Sequence, residues 1–462
     1  MAVVARAVPA PLPQGMDLSL VDALPDPTFP ADLDSPPETI TYDPATILAA
    51  AAEQITATPS PRDDESTPLS KRQAACAPQA PGATGVPVLP FDNPSFFVSN
   101  PTFTVPSLRA TTPANYTLTF SGLNAASQPY GYLGYTLFQT YDVAACAALC
   151  TASPLCLSFN IYFQRSPSVV PGPTCLNPPS VTRIKCALWG GPAPPSSATN
   201  AGQWRADFQL VIAGSNGYQK TSIATPDGFA PGTFFKDAAI DAPSDEFGAD
   251  TYVGEASFSG PYDVALCAEA CRLKTAYNLA HPPVRGEVRT CRFFNTYLVY
   301  VNRTSNVQGQ YCAMYSKGWS GMWATNKGQY RGAEKYGVMF SYGFANGTDA
   351  GAGCRSCAVV EAEEEIERRG LAEWCRGGGA GDRPEGLERF RADVVVEACT
   401  NVVTGLGAAS STTGALVPAS STTSGTTSTT TTTVIAPIAT PTAGGDAALQ
   451  SGQPQFGNNG NF

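Results

Sequence analysis

One cysteine-bearing stretch occurs twice, and it limits what the chain can fold into more than any other feature. Tyr141-Asp-Val-Ala-Ala-Cys-Ala-Ala-Leu-Cys150 returns as Tyr262-Asp-Val-Ala-Leu-Cys-Ala-Glu-Ala-Cys271, both cysteines displaced by the same 121 residues. Self-similarity at a fixed offset means one structural unit built twice. The match continues beyond the stretch. Cys156-Leu-Ser-Phe-Asn-Ile-Tyr-Phe163 returns as Cys291-Arg-Phe-Phe-Asn-Thr-Tyr-Leu298, and Cys186-Ala-Leu-Trp189 as Cys312-Ala-Met-Tyr315. Thr199-Asn-Ala-Gly-Gln-Trp-Arg205 returns as Thr325-Asn-Lys-Gly-Gln-Tyr-Arg331, and Tyr132-Leu-Gly134 as Tyr252-Val-Gly254.

Each repeated stretch reads as a helix. Asp142 and Asp263 precede an Ala-rich run, where a carboxylate accepts hydrogen bonds from the first free amides of a helix. Capping is preferred to the other reading, a pair of catalytic carboxylates. Cysteines at i and i+4 share one helical face; they constrain little by bonding each other but can staple the helix at two points to what lies beneath. The segments after Cys156, Cys186, Cys291 and Cys312 are aromatic and β-branched, as strands are. Alternate strand residues share a face. Cys156, Ser158, Asn160 and Tyr162 therefore share one face, as do Cys291, Phe293, Asn295 and Tyr297; if the cysteine faces the helix, Asn and Tyr are expected there too unless a bulge intervenes, buried and hydrogen-bonded. Ser215-Asn-Gly-Tyr218 and Phe344-Ala-Asn-Gly347 read as turns closing each copy.

This order, C-x3-C on a helix, a cysteine before a strand and another in a later strand, resembles the PAN/Apple module. The resemblance implies an α+β fold of two tandem modules, 130–218 and 250–347, each a helix disulfide-pinned across a curved antiparallel sheet. It implies Cys150–Cys156 with Cys146–Cys186, Cys271–Cys291 with Cys267–Cys312, and binding of proteins or carbohydrates. Cys175 has no counterpart in the second copy and Cys76 is the other unassigned cysteine before the C-terminal block, so these two are paired. Each bridge should contribute about 2–5 kcal/mol. With Lys71-Arg72 and Ala75-Cys-Ala-Pro-Gln79, the arrangement is similar to secreted filamentous-fungal proteins with paired PAN-like modules. One departure is an insertion at 272–290 in the second copy, which carries the single histidine, His281.

Fourteen cysteines in spaced groups point to an oxidising compartment, and the sequons at Asn115, Asn302 and Asn346 agree with it. The expected location is extracellular, with cell-wall association. No apolar run approaches the roughly 20 residues of a membrane-spanning helix, so no membrane insertion is expected. Met1-Ala-Val-Val-Ala-Arg-Ala-Val8 is too short, and carries Arg6, for the apolar core of a secretory signal; the expectation is that the sequence starts downstream of one. The net charge is −10, of which residues 1–72 hold −7. A nearly neutral remainder without a basic cluster argues against nucleic acid or an anionic membrane surface.

Residues 1–72 read as a disordered acidic leader or propeptide, too poor in apolar residues to offset chain entropy; only 45–55 is patterned for a short helix. The dibasic Lys71-Arg72 suits a furin- or kexin-type processing protease. Residues 73–129 are a Pro-rich segment in which Tyr116-Thr-Leu-Thr-Phe120 alternates like a strand, and 219–249 read as a linker. In 348–407, Cys354-Arg-Ser-Cys357 invites a zinc or redox reading. Zinc sites usually offer a second paired ligand set, whereas Cys375 and Cys399 are single with no histidine near, so two disulfides and no metal are expected. Glu361-Ala-Glu-Glu-Glu-Ile-Glu-Arg-Arg369 reads as a solvated helix face. Residues 408–462 are Ser/Thr-rich and read as a disordered, O-glycosylated stalk.

Candidate ligand residues are Gln203, Trp204 and Arg205 with Gln329, Tyr330 and Arg331, because an aromatic beside Arg and Gln can stack on and hydrogen-bond a sugar. The expected function is a secreted non-catalytic binding protein whose two modules engage a glycan or an extracellular protein, two weak sites reinforcing each other. No cofactor is expected. The alternative is a structural cell-wall glycoprotein without a specific ligand. An enzyme is disfavoured, and no catalytic residue is assigned. The lone His281 excludes a His-pair metal site and weakens Ser/His chemistry, and no acidic pair recurs in both copies beyond Asp142 and Asp263.

Overall fold

A computed structural model describes residues 15–27, 42–56, 74–86, 90–378 and 382–405. Its first elements, α1 (Leu18–Asp22) and α2 (Pro44–Thr56), lie in the leader. Asp17 caps α1, accepting the Ser19 amide at 2.9 Å, and Met16, Leu18 and Val21 are buried against the second copy. Tyr42, just before α2, donates to the Tyr132 carbonyl at 3.1 Å, while Ile47 and Leu48 pack on the second copy's core. Residues 15–27 are thus folded where disorder was expected. The composition argument counted only the surface this segment can bury with itself, and here its few apolar side chains bury against a surface built by others. The short helix expected at 45–55 is α2. Lys71 and Arg72 lie outside the described residues, as does 408–462.

The Pro-rich segment forms α3 (Pro94–Ser99) and α4 (Pro101–Arg109), capped by Asn93 and Asn100 with proline at the first helical position, where a missing N–H costs nothing. Copy 1 follows as β1 (Tyr116–Leu123), β2 (Tyr132–Phe138), α5 (Val143–Ala152), β3 (Ser158–Pro167), β4 (Ser180–Trp189), β5 (Gly202–Arg205) and β6 (Phe208–Lys220). Its antiparallel sheet has the order β1-β6-β3-β4-β2, with β5 on β6. Copy 2 comprises β7 (Thr233–Lys236), β8 (Ala239–Ile240), β9 (Tyr252–Phe258), α6 (Val264–Ala280), β10 (Phe293–Val301), β11 (Val307–Tyr315), β12 (Ala324–Asn326), β13 (Gly328–Arg331) and β14 (Glu334–Ala345). Its order, β13-β14-β10-β11-β9 with β7 on β14, repeats that of copy 1. The fold is α+β with antiparallel sheets. The segment expected to be a linker supplies β7 and β8, and β1 extends the first sheet upstream of residue 130.

All five expected bridges among Cys76 to Cys312 are present: Cys76–Cys175, Cys146–Cys186, Cys150–Cys156, Cys267–Cys312 and Cys271–Cys291. Each sheet carries two buried layers. Under α5 lie Phe159, Ile161, Phe163, Cys156 and Cys186; on the other side lie Tyr132, Tyr135, Tyr162, Ala187 and Trp189. Tyr162 therefore faces away from the helix, as Tyr297 does in copy 2, against the expectation that it shares the cysteine's side. The alternation cannot be counted from Cys156, because β3 begins only at Ser158. Ser215-Asn-Gly-Tyr218 is likewise no turn but part of β6. The Phe120 ring packs where a Gly217 β-carbon would lie, only 2.2 Å away, and the Asn216 side chain donates to Ser107 O and to the Tyr218 hydroxyl.

The copies touch directly. The Tyr262 amide donates to Gly190 O at 2.9 Å, and a β-carbon on Gly190 would stand 2.3 Å from Pro261 Cβ. C-terminal to copy 2, α7 (Arg355–Arg368), α8 (Ala372–Arg376) and α9 (Ala392–Thr404) enclose a small core of their own around Ile366, Phe390 and Val394. The two further disulfides are Cys354–Cys357 and Cys375–Cys399. The 272–290 insertion lengthens α6 and holds this block through Arg285–Glu363 and Arg289–Glu361 ion pairs. Glu361 and Glu363 consequently turn inward, which corrects the solvated-face expectation for these two residues. His281 ends α6 and stacks on Tyr277 with centroids 4.3 Å apart.

Candidate ligand-binding faces

The two Gln-aromatic-Arg triplets occupy equivalent strands, β5 and β13, each the first arm of a hairpin with the strand that follows. In register, Gln203 opposes Leu210 and Arg205 opposes Phe208; Gln329 opposes Tyr336. Leu210, Phe208 and Tyr336 belong to the layers away from the cysteine helices, so Gln and Arg point there too. Strand alternation sends the residue between them the other way, and Trp204 and Tyr330 are 66% and 72% exposed. The structure therefore splits each triplet: Gln and Arg border one sheet face, and the aromatic stands alone on the other side of its hairpin.

In copy 1 that side of the sheet holds a small cavity of about 20 Å³, room for about one water, lined by Ser127, Tyr132, Tyr135, Tyr162, Lys185 and Trp189 among others. The Lys185 ammonium sits 4.1 Å from the centre of the Tyr135 ring, a cation–π contact. The Trp189 indole N–H and the Ser127 hydroxyl are buried there without a hydrogen-bond partner, and buried polar groups are seldom left so.

The same positions in copy 2 carry different chemistry. Glu255 stands where Tyr135 does, opposite Ala313 as Tyr135 is opposite Ala187, and Tyr311 stands for Lys185. The Tyr252 and Tyr311 hydroxyls both donate to Glu255. Burial first, then the neighbouring Tyr297 and Glu255, pushes the Tyr311 phenol far above its ordinary value, so it stays a neutral donor. Leader residues lie on this face. The Gln329 carboxamide accepts the Met16 amide at 2.8 Å and donates to Met16 O at 2.9 Å. The Asp17 amide donates to the Tyr311 hydroxyl at 2.8 Å, and the Ser257 hydroxyl donates to Leu20 O at 2.8 Å. Arg331 grips the Asp22 carboxylate with both terminal nitrogens. Sequence reasoning missed this segment; its signal was the spacing of Met16, Leu18, Val21 and Leu24 around the Asp17 cap.

Other shared polar residues serve the scaffold. Asn160 accepts the Ser127 amide and donates to Ser215 Oγ and Asn216 O at 2.8–2.9 Å. Asn295 does the same with the Ile240 amide, Ser341 Oγ and Tyr342 O. Asp142 and Asp263 cap α5 and α6, accepting the Ala145 and Ala265 amides at 2.9 Å. Burial, only partly offset by the Ala265 amide, raises the Asp263 carboxyl. Glu361 is also raised, chiefly by burial, although it accepts the Asp250 amide and faces Arg289 and Arg389; its role is to join α7 to copy 2. Among the described residues, no group of three or more His, Cys, Asp or Glu is placed to hold a metal ion, and no helix is long and apolar enough to cross a membrane. Asn115 and Asn302 are exposed, whereas the Asn346 side chain accepts the Thr348 and Asp349 amides. No family model matches the chain, and neither does any curated protein or solved structure.

Proposed function

We propose that the chain is a secreted, non-catalytic binding protein whose two PAN/Apple-like modules engage a carbohydrate or an extracellular protein through the sheet faces opposite their cysteine helices. The observation that carries this reading is the small copy-1 cavity, whose side chains must part to admit a ligand. Aromatic rings from three strands line it beside Lys185 and Asn200, and the buried indole N–H and hydroxyl without partners offer hydrogen bonds to an incoming ligand. Apolar walls with a few convergent polar groups are the usual make-up of a ligand site, and rings with such neighbours suit sugar hydroxyls as well as peptide groups. Seven disulfides fit an extracellular setting.

A glycan array and a cell-wall pull-down with the full chain test the reading, alongside Gln203→Ala/Arg205→Ala at the rim of the face and Trp204→Ala/Tyr330→Ala at the hairpin tips. The expected result is binding to one polysaccharide class, weakened about tenfold or more, roughly 1.4 kcal/mol, by the rim pair and little changed by the tip pair. Loss with the tip pair alone moves the site to the hairpins. No binding to glycan or extracellular protein, by a chain with all bridges verified by mass spectrometry, favours a structural glycoprotein.

A further inference from the structure

We propose that the copy-2 face is a peptide-binding site and that residues 15–24 are its built-in occupant. Four of the contacts go to main-chain groups of the leader, namely Met16 N–H and C=O, the Asp17 N–H and the Leu20 C=O. Contacts to main chain recognise a peptide as such, whatever its side chains, and the pockets between them set the sequence. Here the pockets take Met16, Leu18 and Val21, buried in one layer with Tyr297 and Tyr311. Leu24 reaches Gly309, where a β-carbon would stand 2.2 Å from Leu24 Cδ1. Arg331 supplies a charged anchor for a carboxylate at the Asp22 position. The ligand class is therefore a short peptide with apolar residues spaced as at 16, 18 and 21 and an acidic residue directly after the last.

The occupant is held by these contacts and by its link to α2, which is itself seated on the body through Tyr42, Ile47 and Leu48. Every disulfide begins at Cys76 or later, so no covalent bridge joins residues 1–72 to the body. While the chain is intact, the tether keeps the segment at a high effective concentration over its own site, and free peptide competes poorly. A cut at the dibasic Lys71-Arg72 turns that intramolecular contact into a bimolecular one. The face becomes available to peptides of the same chemistry in the surroundings once the cut leader, α2 included, dissociates. This assignment rests on the face reading proposed above and extends it to a different ligand class in copy 2.

The test is fluorescence anisotropy with a labelled synthetic peptide of residues 15–27. Four proteins are compared: the intact chain, the chain carrying Leu18→Asp/Val21→Asp, the wild-type chain cut after Arg72 by a dibasic-specific protease, and the Leu18→Asp/Val21→Asp chain with Arg331→Ala added. The opened and the cut chains should bind the peptide at least about tenfold more tightly than the intact chain, and Arg331→Ala should weaken that binding about tenfold, the scale of a charge-assisted bidentate pair. Equal binding by intact and opened chains, or none by either the opened or the cut chain, overturns the proposal. If the aspartate variant fails to form its seven bridges, the cut wild-type chain decides alone. Glycan binding by the Leu18→Asp/Val21→Asp chain separates the two readings: if it persists while the peptide does not bind, the occupant fails and the copy-1 face stands.

Discussion

Copy 1 and copy 2 differ least under their cysteine helices and most in the layer on the other side of each sheet. Both helices have an aspartate cap and the same pair of staples, and the buried Asn160 and Asn295 networks correspond bond for bond, down to the acceptor and donors of each carboxamide. On the faces away from the helices, a Lys–Tyr contact in one copy is replaced by a Tyr–Glu contact in the other. A lysine over a ring favours an electron-rich or anionic partner, whereas a glutamate engaged by two phenols leaves neutral rings, and the Tyr311 hydroxyl there accepts the Asp17 amide. The difference teaches that the two copies share the residues that hold the sheet and the helix, and differ in the layer on the sheet's other side.

The largest expected effect tests the sameness of the scaffolds. Cys146→Ala/Cys186→Ala and Cys267→Ala/Cys312→Ala open loops with separations of 40 and 45 residues. Each should cost about 4 kcal/mol by loop entropy, read from guanidinium unfolding, and clearly unequal costs would break the equivalence. Next, Asn160→Ala and Asn295→Ala should each destabilise by about 2–4 kcal/mol, because each orphans a buried amide and its partners; equal midpoint shifts sharpen the same point. Leu18→Ala should cost less, about 2 kcal/mol for a side chain at the edge of a layer. It should speed hydrogen exchange in β9 and β11 while leaving β2 and β4 unchanged, and exchange that rises equally in both copies would deny the leader its specific seat.

The smallest effect is a pH dependence of opposite sign. Burial raises the Asp92 carboxyl, but the Ser180 hydroxyl and amide and the Arg165 guanidinium outweigh it and hold it below the ordinary range. Its contribution is present above the unfolded value and disappears as pH falls through the lowered folded value. Asp263, raised by burial, behaves in reverse: its contribution is present below the unfolded value and lost as pH rises through the folded one. The stability difference between wild type and Asp92→Asn should grow from pH 2 to 7, and that for Asp263→Asn should shrink, each by less than about 1 kcal/mol for such partly exposed groups.

The scaffold was legible because its signals are local. A capping aspartate, two cysteines one turn apart and the alternation of Tyr116-Thr-Leu-Thr-Phe120 each specify geometry within a few residues. The resemblance then supplied pairings across the chain. What escaped were features that depend on distant partners. The side taken by Tyr162 depends on where β3 starts, not on the cysteine before it. Met16 to Leu24 fold only because copy 2, some 290 residues later, offers them a surface, and Glu363 turns inward only because Arg285 arrives on the insertion. The Gln-aromatic-Arg triplets were found as a string, and the pleat then divided them between two sides.

The junction at Gly190 fixes one copy directly against the other. With Pro261 pressed against a residue that has no side chain, and the Tyr262 amide bonded across the seam, the two modules meet without a pliable spacer. A flexible link would let a pair of weak sites adjust to many spans, gaining moderate avidity from each. A stiff junction concentrates the gain on targets whose own spacing matches and withholds it from the rest. For the two-site binder proposed above, distance between attachment points, and not the chemistry of either point alone, would then decide which targets are held.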